Sequence, residues 1–327
     1  MKLSVLIPAY NVADCIAECL HSVMDEADAE VEVICVDDGS TDGSGEMLDE
    51  FASHERPNAC GFKVVHQRNA GAGAARNAAL ELTTGEWILF LDADDRLAKG
   101  WHEVLRTMTV RHASAQMLGF GRTETQPFNP VHFAESREAD VSHVVGFDVY
   151  SRGLWQFAYR RETIDGLRFE RIVLVEDKLF QGAAILRSAR VALTDAPVYC
   201  YRQREGSIVH SAWTREKFEA ELVWRVKWLK AMTAAGRTMD RRLWRYMGLS
   251  FLEYIPFSLT EIKDPVLKTE MEDRWFDVLS EACAYPFSAW QRFAMRILGT
   301  TRSRMIACIL CRLPFAVKHL VHFGRLR

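Results

Sequence analysis

Four short apolar runs divide the first third of the chain: residues 3–7 (LSVLI), 31–36 (VEVICV), 62–65 (FKVV) and 87–91 (WILFL). Each is rich in β-branched or aromatic side chains and closed by polar or turn-forming residues, the signature of a strand. Between them, residues 13–24, 44–54 and 73–82 carry apolar positions at helical spacing. Strands alternating with helices of that length predict βαβ crossovers, hence a mainly parallel sheet flanked by helices. Such sheets bind ligands at the carboxyl ends of their strands. The segments that follow the four runs are PAYN, DDGSTD, HQRNAGAGAARN and DADD. Any one of them is an ordinary polar loop; four in succession on the same edge predict a binding site.

The pattern loosens between 115 and 210, where MLGF (117–120) and RVALTDAPVYCYRQ (190–203) read as strands and 121–140 as loop. After Trp213 it turns helical, through 215–232, 241–255 and 268–283. The expected organisation is therefore an α/β domain over 1–212, with a nucleotide-binding half at 1–120 and an acceptor half at 121–212, followed by a helical C-terminal region at 213–327. No internal repeat interrupts it.

Composition narrows the class. With 327 residues, 49% hydrophobic and 26% charged, the chain is long enough for a well-buried core and is not of disordered type. A net charge of −3 gives no case for nucleic acid as a partner. Eight scattered cysteines, several inside apolar segments, suit reduced thiols in the cytoplasm; Cys308 and Cys311 form a lone CxxC among aliphatics and read as packing residues. The first apolar run is broken at Pro8, and no later stretch offers the ~20 apolar residues of a membrane span, so a cytoplasmic protein is expected.

The acids carry the chemistry. Asp92, Asp94 and Asp95 crowd three carboxylates into LFLDADDRL at the end of an apolar run, where unpaired charge is costly to bury. A divalent cation relieves that cost, and hard oxygen ligands suit magnesium or manganese, which bind one or two carboxylates together with substrate phosphates. On these residues alone the other reading stays open: a solvated acidic turn ahead of the helix KGWHEVLRTM. Asp38, Ser40, Asp42, Gly43 and Asp49 approach the spacing of a calcium loop, but that reading needs a helix before Asp38, where VEVICV stands, and a glutamate where Asp49 stands. A dinucleotide-dependent oxidoreductase needs G-x-G-x-x-G after the first strand; Pro8-Ala9-Tyr10 follows it instead, and Gly71-Ala72-Gly73 runs on to Arg76 rather than a third glycine.

SVLIPAYNVADCIAECLHSV, VEVICVDDGSTDGS, HQRNAGAGAARNAALELTTGEWILFLDADD and GLRFERIVLVEDKLF together resemble the family 2 inverting glycosyltransferases of GT-A fold, of the bacterial surface-polysaccharide type. The resemblance covers about 3–210 in order and does not extend beyond about 215. It implies a GT-A, Rossmann-like sheet with the helical region as an extension. It also implies that Pro8, Ala9 and Tyr10 lie against the donor nucleoside, that Asp38 bonds the base with Asp37 beside it, and that Gly71, Arg76 and Asn77 stand near the nucleotide. Asp92 matches the aspartate near the ribose and Asp94 the metal ligand, with the adjacent Asp95 counted as a second metal residue. Glu176 and Asp177 match an ED pair whose aspartate is the base, although an acid at a helix start is also favoured on electrostatic grounds alone. Tyr201 and Arg202, with Arg204 and Ser207, match a segment that closes over the donor. Trp155 matches an acceptor-side aromatic, followed here by Gln156 where many relatives have asparagine.

The implied activity is an inverting, Mn²⁺- or Mg²⁺-dependent transfer of a hexosyl or N-acetylhexosaminyl group from a nucleotide donor, UDP in the first instance, to a glycan or lipid-linked acceptor in cell-surface polysaccharide synthesis. A uracil-like base has an N–H that a fixed carboxylate accepts, and a diphosphate leaving group gains charge that a cation stabilises. From Ala282 to Arg327 the chain has eight Lys or Arg and no acid, among Trp290, Phe293, Phe315, Phe323 and many aliphatics. That pattern predicts peripheral contact with an anionic membrane, at the inner face of the plasma membrane; the competing reading is a helix packed on the catalytic domain with its arginines in solvent.

Overall fold

The computed structural model describes residues 1–54, 60–124, 131–133, 135–141, 153–172, 174–203, 212–236, 241–254 and 259–302. The chain divides into two compact units, Met1–Ser207 and Ile208–Arg327.

The first unit is built on an eight-stranded sheet in the order β3-β2-β1-β4-β9-β6-β10-β8. Its strands are β1 Leu3–Ala9, β2 Val31–Asp37, β3 Gly61–His66, β4 Trp87–Phe90, β6 Met117–Gly119, β8 Ser136–Asp140, β9 Phe157–Arg160 and β10 Arg190–Thr194. The half from β3 to β4 is wholly parallel. Its strands are connected by α1 Ile16–Met24, α2 Ser44–Ser53 and α3 Ala72–Leu80. Being covered on both faces, β1 and β4 are almost continuously buried, which is why they read as unbroken apolar runs. On one face α1 seats Ile16, Cys19, Leu20, Val23 and Met24 in a core with Val5, Ile7, Val33, Cys35, Leu89 and Trp101. On the other, Phe90 meets Phe169 at 5.4 Å and Phe180 at 5.5 Å, and those two rings stack at 4.1 Å. This second cluster seats the helix Glu176–Arg187.

The other half differs from the expectation in two places. β9, absent from the strands read in the sequence, lies antiparallel between β4 and β6. The stretch read as a loop contains β8, SREAD, which pairs antiparallel with β10 at the sheet edge. Edge pairing is made by backbone groups and requires no apolar alternation. A second, three-stranded sheet, β5-β11-β7, joins β5 Arg96–Leu97, β11 Tyr199–Cys200 and β7 Arg122–Thr123. It brings the segment after the DADD turn against Tyr199, through the pairs Tyr199↔Leu97 and Cys200↔Arg96. α4, Trp101–Arg111, follows β5.

The second unit is helical over Arg215–Ala234, Arg241–Leu249, Pro265–Ala282 and Ala289–Thr301, with a π-helical turn at Ser250–Tyr254 where one continuous helix is expected. Inside it Arg225 is buried with Glu221 at 2.6 Å and donates to Ser250 Oγ at 2.6 Å, so the irregular turn meets a buried charge pair. Cys15, Cys19, Cys35, Cys60 and Cys200 are buried, reduced thiols. Cys308 and Cys311 lie outside the described residues. Among the described residues, no helix is long and apolar enough to cross a membrane.

Candidate functional site

Parallel register brings the ends of three strands level, since Ala9 pairs with Asp37 and Asp37 with His66. The chain leaving each strand then crosses to its neighbour: Asp38 N donates to Ala9 O at 2.8 Å and Gln67 N to Asp37 O at 2.9 Å. Asp38 is buried, and its carboxylate accepts from Gln67 Nε2 at 2.6 Å, Ala70 N at 2.9 Å and Gly71 N at 2.7 Å. It thereby pulls the start of α3 against the end of β2. Gly71, at φ +91° and ψ 159°, holds a backbone conformation essentially reserved for glycine. Asp37 accepts from Ser40 N at 2.9 Å and lies 2.9 Å from His66 Nδ1. Burial works to raise its pKa, but the bonds from Ser40 and His66 override it and leave the carboxyl below its ordinary value. His66 Nε2 lies 3.0 Å from Asp49, and hydrogen bonds to both aspartates raise the imidazole's pKa.

The loop after β1 is laced to the DDGSTD loop. Asn11 Oδ1 accepts from Thr41 N at 2.9 Å, Val12 N donates to Ser44 Oγ at 2.8 Å, and Ala13 N donates to Asp42 Oδ2 at 3.0 Å. Tyr10 is exposed above this junction, with Pro8 and Ala9 behind it in β1. The calcium-loop spacing meets a strand before Asp38, and Asp42 bonds backbone and hydroxyl groups of its own loop.

The centre of the site is Arg76 on α3. Its buried guanidinium donates to Asp92 Oδ1 at 2.8 Å and to Glu176 Oε1 at 3.1 Å. Burial opposes the charge, yet Asp92 first and then Glu176 and Asp177 outweigh it and hold Arg76 firmly protonated. The end of β4 and the start of the helix Glu176–Arg187 therefore meet on one cation. Close approach makes this possible: a β-carbon on Gly73 would lie 3.1 Å from Glu176 Cγ and 3.2 Å from Phe169 Cβ. Asn77 uses both ends of its amide on Phe169, donating to its O at 2.9 Å and accepting from its N at 2.8 Å. Its side chain thus holds the segment that leads to Asp177. Leu174, two residues before Glu176, has φ +81°, a conformation uncommon outside glycine. Burial raises the Asp177 pKa above its ordinary value, against the charges of Lys178 and Arg76.

Beyond β4 the three acids separate in role. Asp92 pairs with Arg76 and Asp94 is half-buried, whereas Asp95 is buried and accepts from Tyr199 OH at 2.6 Å and Arg202 N at 2.7 Å. Burial, then the charge of Asp92 and more weakly that of Asp94, push the Asp95 pKa up to about 7 against those two hydrogen bonds. Surplus negative charge of this kind is what a divalent cation relieves, so the donor set fits one. Among the described residues no three metal-ligating side chains converge on a point. The Arg202 guanidinium lies 2.7 Å from Glu18, which Arg96 also meets at 2.8 Å.

Beside the acidic turn, Trp155 stacks on Tyr199 at 4.2 Å and on Tyr201 at 5.8 Å, with the Arg122 guanidinium 5.5 Å from the Tyr201 ring. Gln156 is buried, donating to Phe120 O at 3.2 Å and accepting from Gly153 N at 3.0 Å, so its amide is occupied within the protein. Trp155 is the half-buried member of that pair. Tyr199 went unread in the sequence although it precedes Tyr201 by two positions, the spacing that puts strand side chains on one face. Glu18, His66 and Phe169 lacked any comparable signal, because each acts through a partner distant in sequence. Arg204 and Ser207 lie outside the described residues.

Residues 4–162 match the profile of Glycosyl transferase family 2. The chain belongs to this family. Its first unit has the GT-A architecture. Glycosyltransferase GlyA of Streptococcus pneumoniae serotype 4 is 27% identical over 257 residues, 72% of this chain and 33% of GlyA. EpsH of Bacillus subtilis (strain 168) is 30% identical over 233 residues, 67% of this chain and 66% of EpsH. The chain therefore spans about a third of the length of GlyA. The crystal structure of S. aureus TarS 1–349 in complex with UDP-GlcNAc superposes with a TM-score of 0.70 at 21% identity, covering 95% of this chain and 90% of that one. In this family member the position where a dinucleotide fold requires its third phosphate-loop glycine carries the buried Arg76 ion pair.

Proposed function

We propose that the protein is an inverting, metal-dependent glycosyltransferase that moves a hexosyl or N-acetylhexosaminyl group from a UDP donor to a glycan or lipid-linked acceptor in cell-surface polysaccharide synthesis. The observation that carries this reading is the Arg76 guanidinium bonded to Asp92 and Glu176. It makes one site of the carboxylates at the end of β4 and of Asp177, which follows Glu176. A UDP donor is supported by the UDP-GlcNAc complex of TarS, the structural relative.

In this proposal the nucleoside lies across the ends of β1 and β2, against Pro8, Ala9 and the exposed Tyr10. A carboxylate offers about four lone-pair sites. Asp38 uses three on protein donors, which leaves one on Oδ2 to accept the N–H of the base. Asp92 stands by the ribose, and Tyr201 and Arg202 flank the diphosphate. Asp94 would hold Mn²⁺ or Mg²⁺, which as a Lewis acid stabilises the charge that develops on the diphosphate. Asp95, bonded on both oxygens, supports the turn. Trp155 and Tyr201 offer aromatic surface to the acceptor.

Asp177 takes the proton of the attacking acceptor hydroxyl while the new oxygen–carbon bond forms at the anomeric centre and the bond to the diphosphate breaks. A base raised toward neutrality by burial is suited to that transfer. Asp177→Asn is expected to abolish transfer while nucleotide affinity stays within about threefold of wild type, since the amide keeps the shape but not the basicity. Undiminished transfer by this variant, followed by release of UDP, would remove Asp177 from the role.

Membrane-peripheral action at the inner face of the plasma membrane belongs to the same proposal. On the helix Ala289–Thr301, Trp290 is 38% exposed and Phe293 58% exposed, with Ile297 half-buried at the next position of that stripe and Arg292 and Arg296 exposed beside it. Aromatics flanked by cations suit an anionic lipid boundary. The basic residues after Arg302 lie outside the described residues.

A further inference from the structure

Tyr199 belongs to no motif singled out in the sequence, yet its hydroxyl lies across the acidic turn after β4. It donates to Asp95 Oδ2 at 2.6 Å and accepts from Asp92 N at 3.3 Å. Asp95 N donates to Asp92 O at 2.9 Å. Asp92, Asp95 and Tyr199 thus form a closed ring of hydrogen bonds around Ala93 and Asp94. A fourth bond, Arg202 N to Asp95 Oδ1 at 2.7 Å, anchors that ring to the chain leaving β11. Tyr199 is fully buried and its ring is stacked on Trp155 at 4.2 Å and 24°, so the hydroxyl is held by packing rather than free to rotate away. Burial also raises the phenol's pKa well above its ordinary value, which keeps it a donor.

We propose that Tyr199 is a positioning residue for the donor's cation: its hydroxyl locks the Asp92–Asp95 turn in the geometry that lets Asp94 bind metal and diphosphate together, and Asp95 serves as its strut rather than as a ligand. The proposal rests on the metal-dependent reading above and names the residue that makes the turn competent. It has a second consequence. The ring that carries the hydroxyl is the ring on which the acceptor-side Trp155 packs, so the donor's metal turn and the acceptor platform share one rigid element.

Tyr199→Phe removes the hydroxyl and keeps the ring. The experiment titrates Mn²⁺ calorimetrically into the full chain with saturating UDP, alongside UDP alone without metal. Partners that orient a metal ligand typically alter affinity 10- to 100-fold when removed. The expected result is therefore a rise of about 10- to 100-fold in the Mn²⁺ needed for half-saturation, with metal-free UDP affinity and the thermal midpoint close to wild type and turnover recovering in excess Mn²⁺. An unchanged Mn²⁺ half-saturation, or an equal loss of metal-free UDP binding, overturns the proposal. Wild-type protein that binds UDP without any Mn²⁺ dependence overturns the metal-dependent reading itself, and the proposal with it. If Tyr199→Phe does not fold, Asp95→Asn decides: it keeps a hydrogen-bonding side chain between Tyr199 and Arg202, so a strut loses less than about fivefold in Mn²⁺ affinity. A loss as large as that of Asp94→Asn makes Asp95 a ligand and overturns the assignment.

Discussion

Arg76→Met replaces the guanidinium that Asp92 and Glu176 share with an uncharged side chain of similar length. Removing one partner of a buried ion pair leaves uncompensated charge and costs about 3–5 kcal/mol. Here the Asp92 side chain keeps 28% of its surface exposed and Glu176 16%, so water shares part of the burden and the low end, about 3 kcal/mol, applies. For a unit of this size each kcal/mol lowers the midpoint by about 2–4 °C, giving a fall of about 6–12 °C for the first unit. Urea unfolding followed by fluorescence measures the free energy, and a thermal scan the midpoint. The cause is isolated in an Asp92→Asn/Glu176→Gln background, where the two carboxylates that bond Arg76 are neutral and only the charge of Asp177 still acts on it, so the same change should cost under about 1 kcal/mol. Arg76→Lys should fall between, because one ammonium does not reproduce the two-point fork. A stability within about 0.5 kcal/mol of wild type, or an equal cost in both backgrounds, would refute the claim that this guanidinium holds the two halves of the site together.

Burial raises the Asp177 pKa, and the deprotonated form is the base, so kcat/KM should fall as pH drops through that raised value; an acid limb at or below the 3.8 of an ordinary aspartate contradicts the assignment. Gly71→Ala forces φ +91° on a residue with a β-carbon that would otherwise meet open space, so a loss of about 1–3 kcal/mol is expected from backbone strain alone, accompanied by weaker UDP binding; wild-type stability refutes it. Trp290→Ser combined with Phe293→Ser should reduce co-sedimentation of the full chain with phosphatidylglycerol vesicles several-fold while leaving transfer to a soluble acceptor unchanged. Equal binding by the variant, or equal binding of wild type to purely phosphatidylcholine vesicles, contradicts the membrane assignment.

Much of the parallel half of the sheet was legible before folding. Strands buried on both faces must be continuously apolar, so β1, β2 and β4 announced themselves, and the polar segments after them marked strand ends that the parallel register brings side by side. β8 was not legible, because an edge strand pairs through backbone groups, and SREAD has no apolar alternation to read. β9 was equally silent: four residues, Phe157–Arg160, are too few to show a period.

Residue types and their order along the chain are local information, and they determined the α/β alternation, the acidic turns, the ED pair and the family. Which acid does what is set by partners that arrive from elsewhere. Asp94 and Asp95 are adjacent and chemically identical, and Tyr199, 104 residues away from Asp95, together with Arg202 N, bonds one of them and leaves it buried. The resemblance places Arg76 near the nucleotide, but the two carboxylates it bonds lie 16 and 100 residues away. Gln156 and Asn77 were placed near ligands by the resemblance, and in the tertiary structure both amides bond backbone groups, of Phe120 and Gly153 in one case and of Phe169 in the other. A hydrogen bond is decided by distance in space, which the order of residues does not contain.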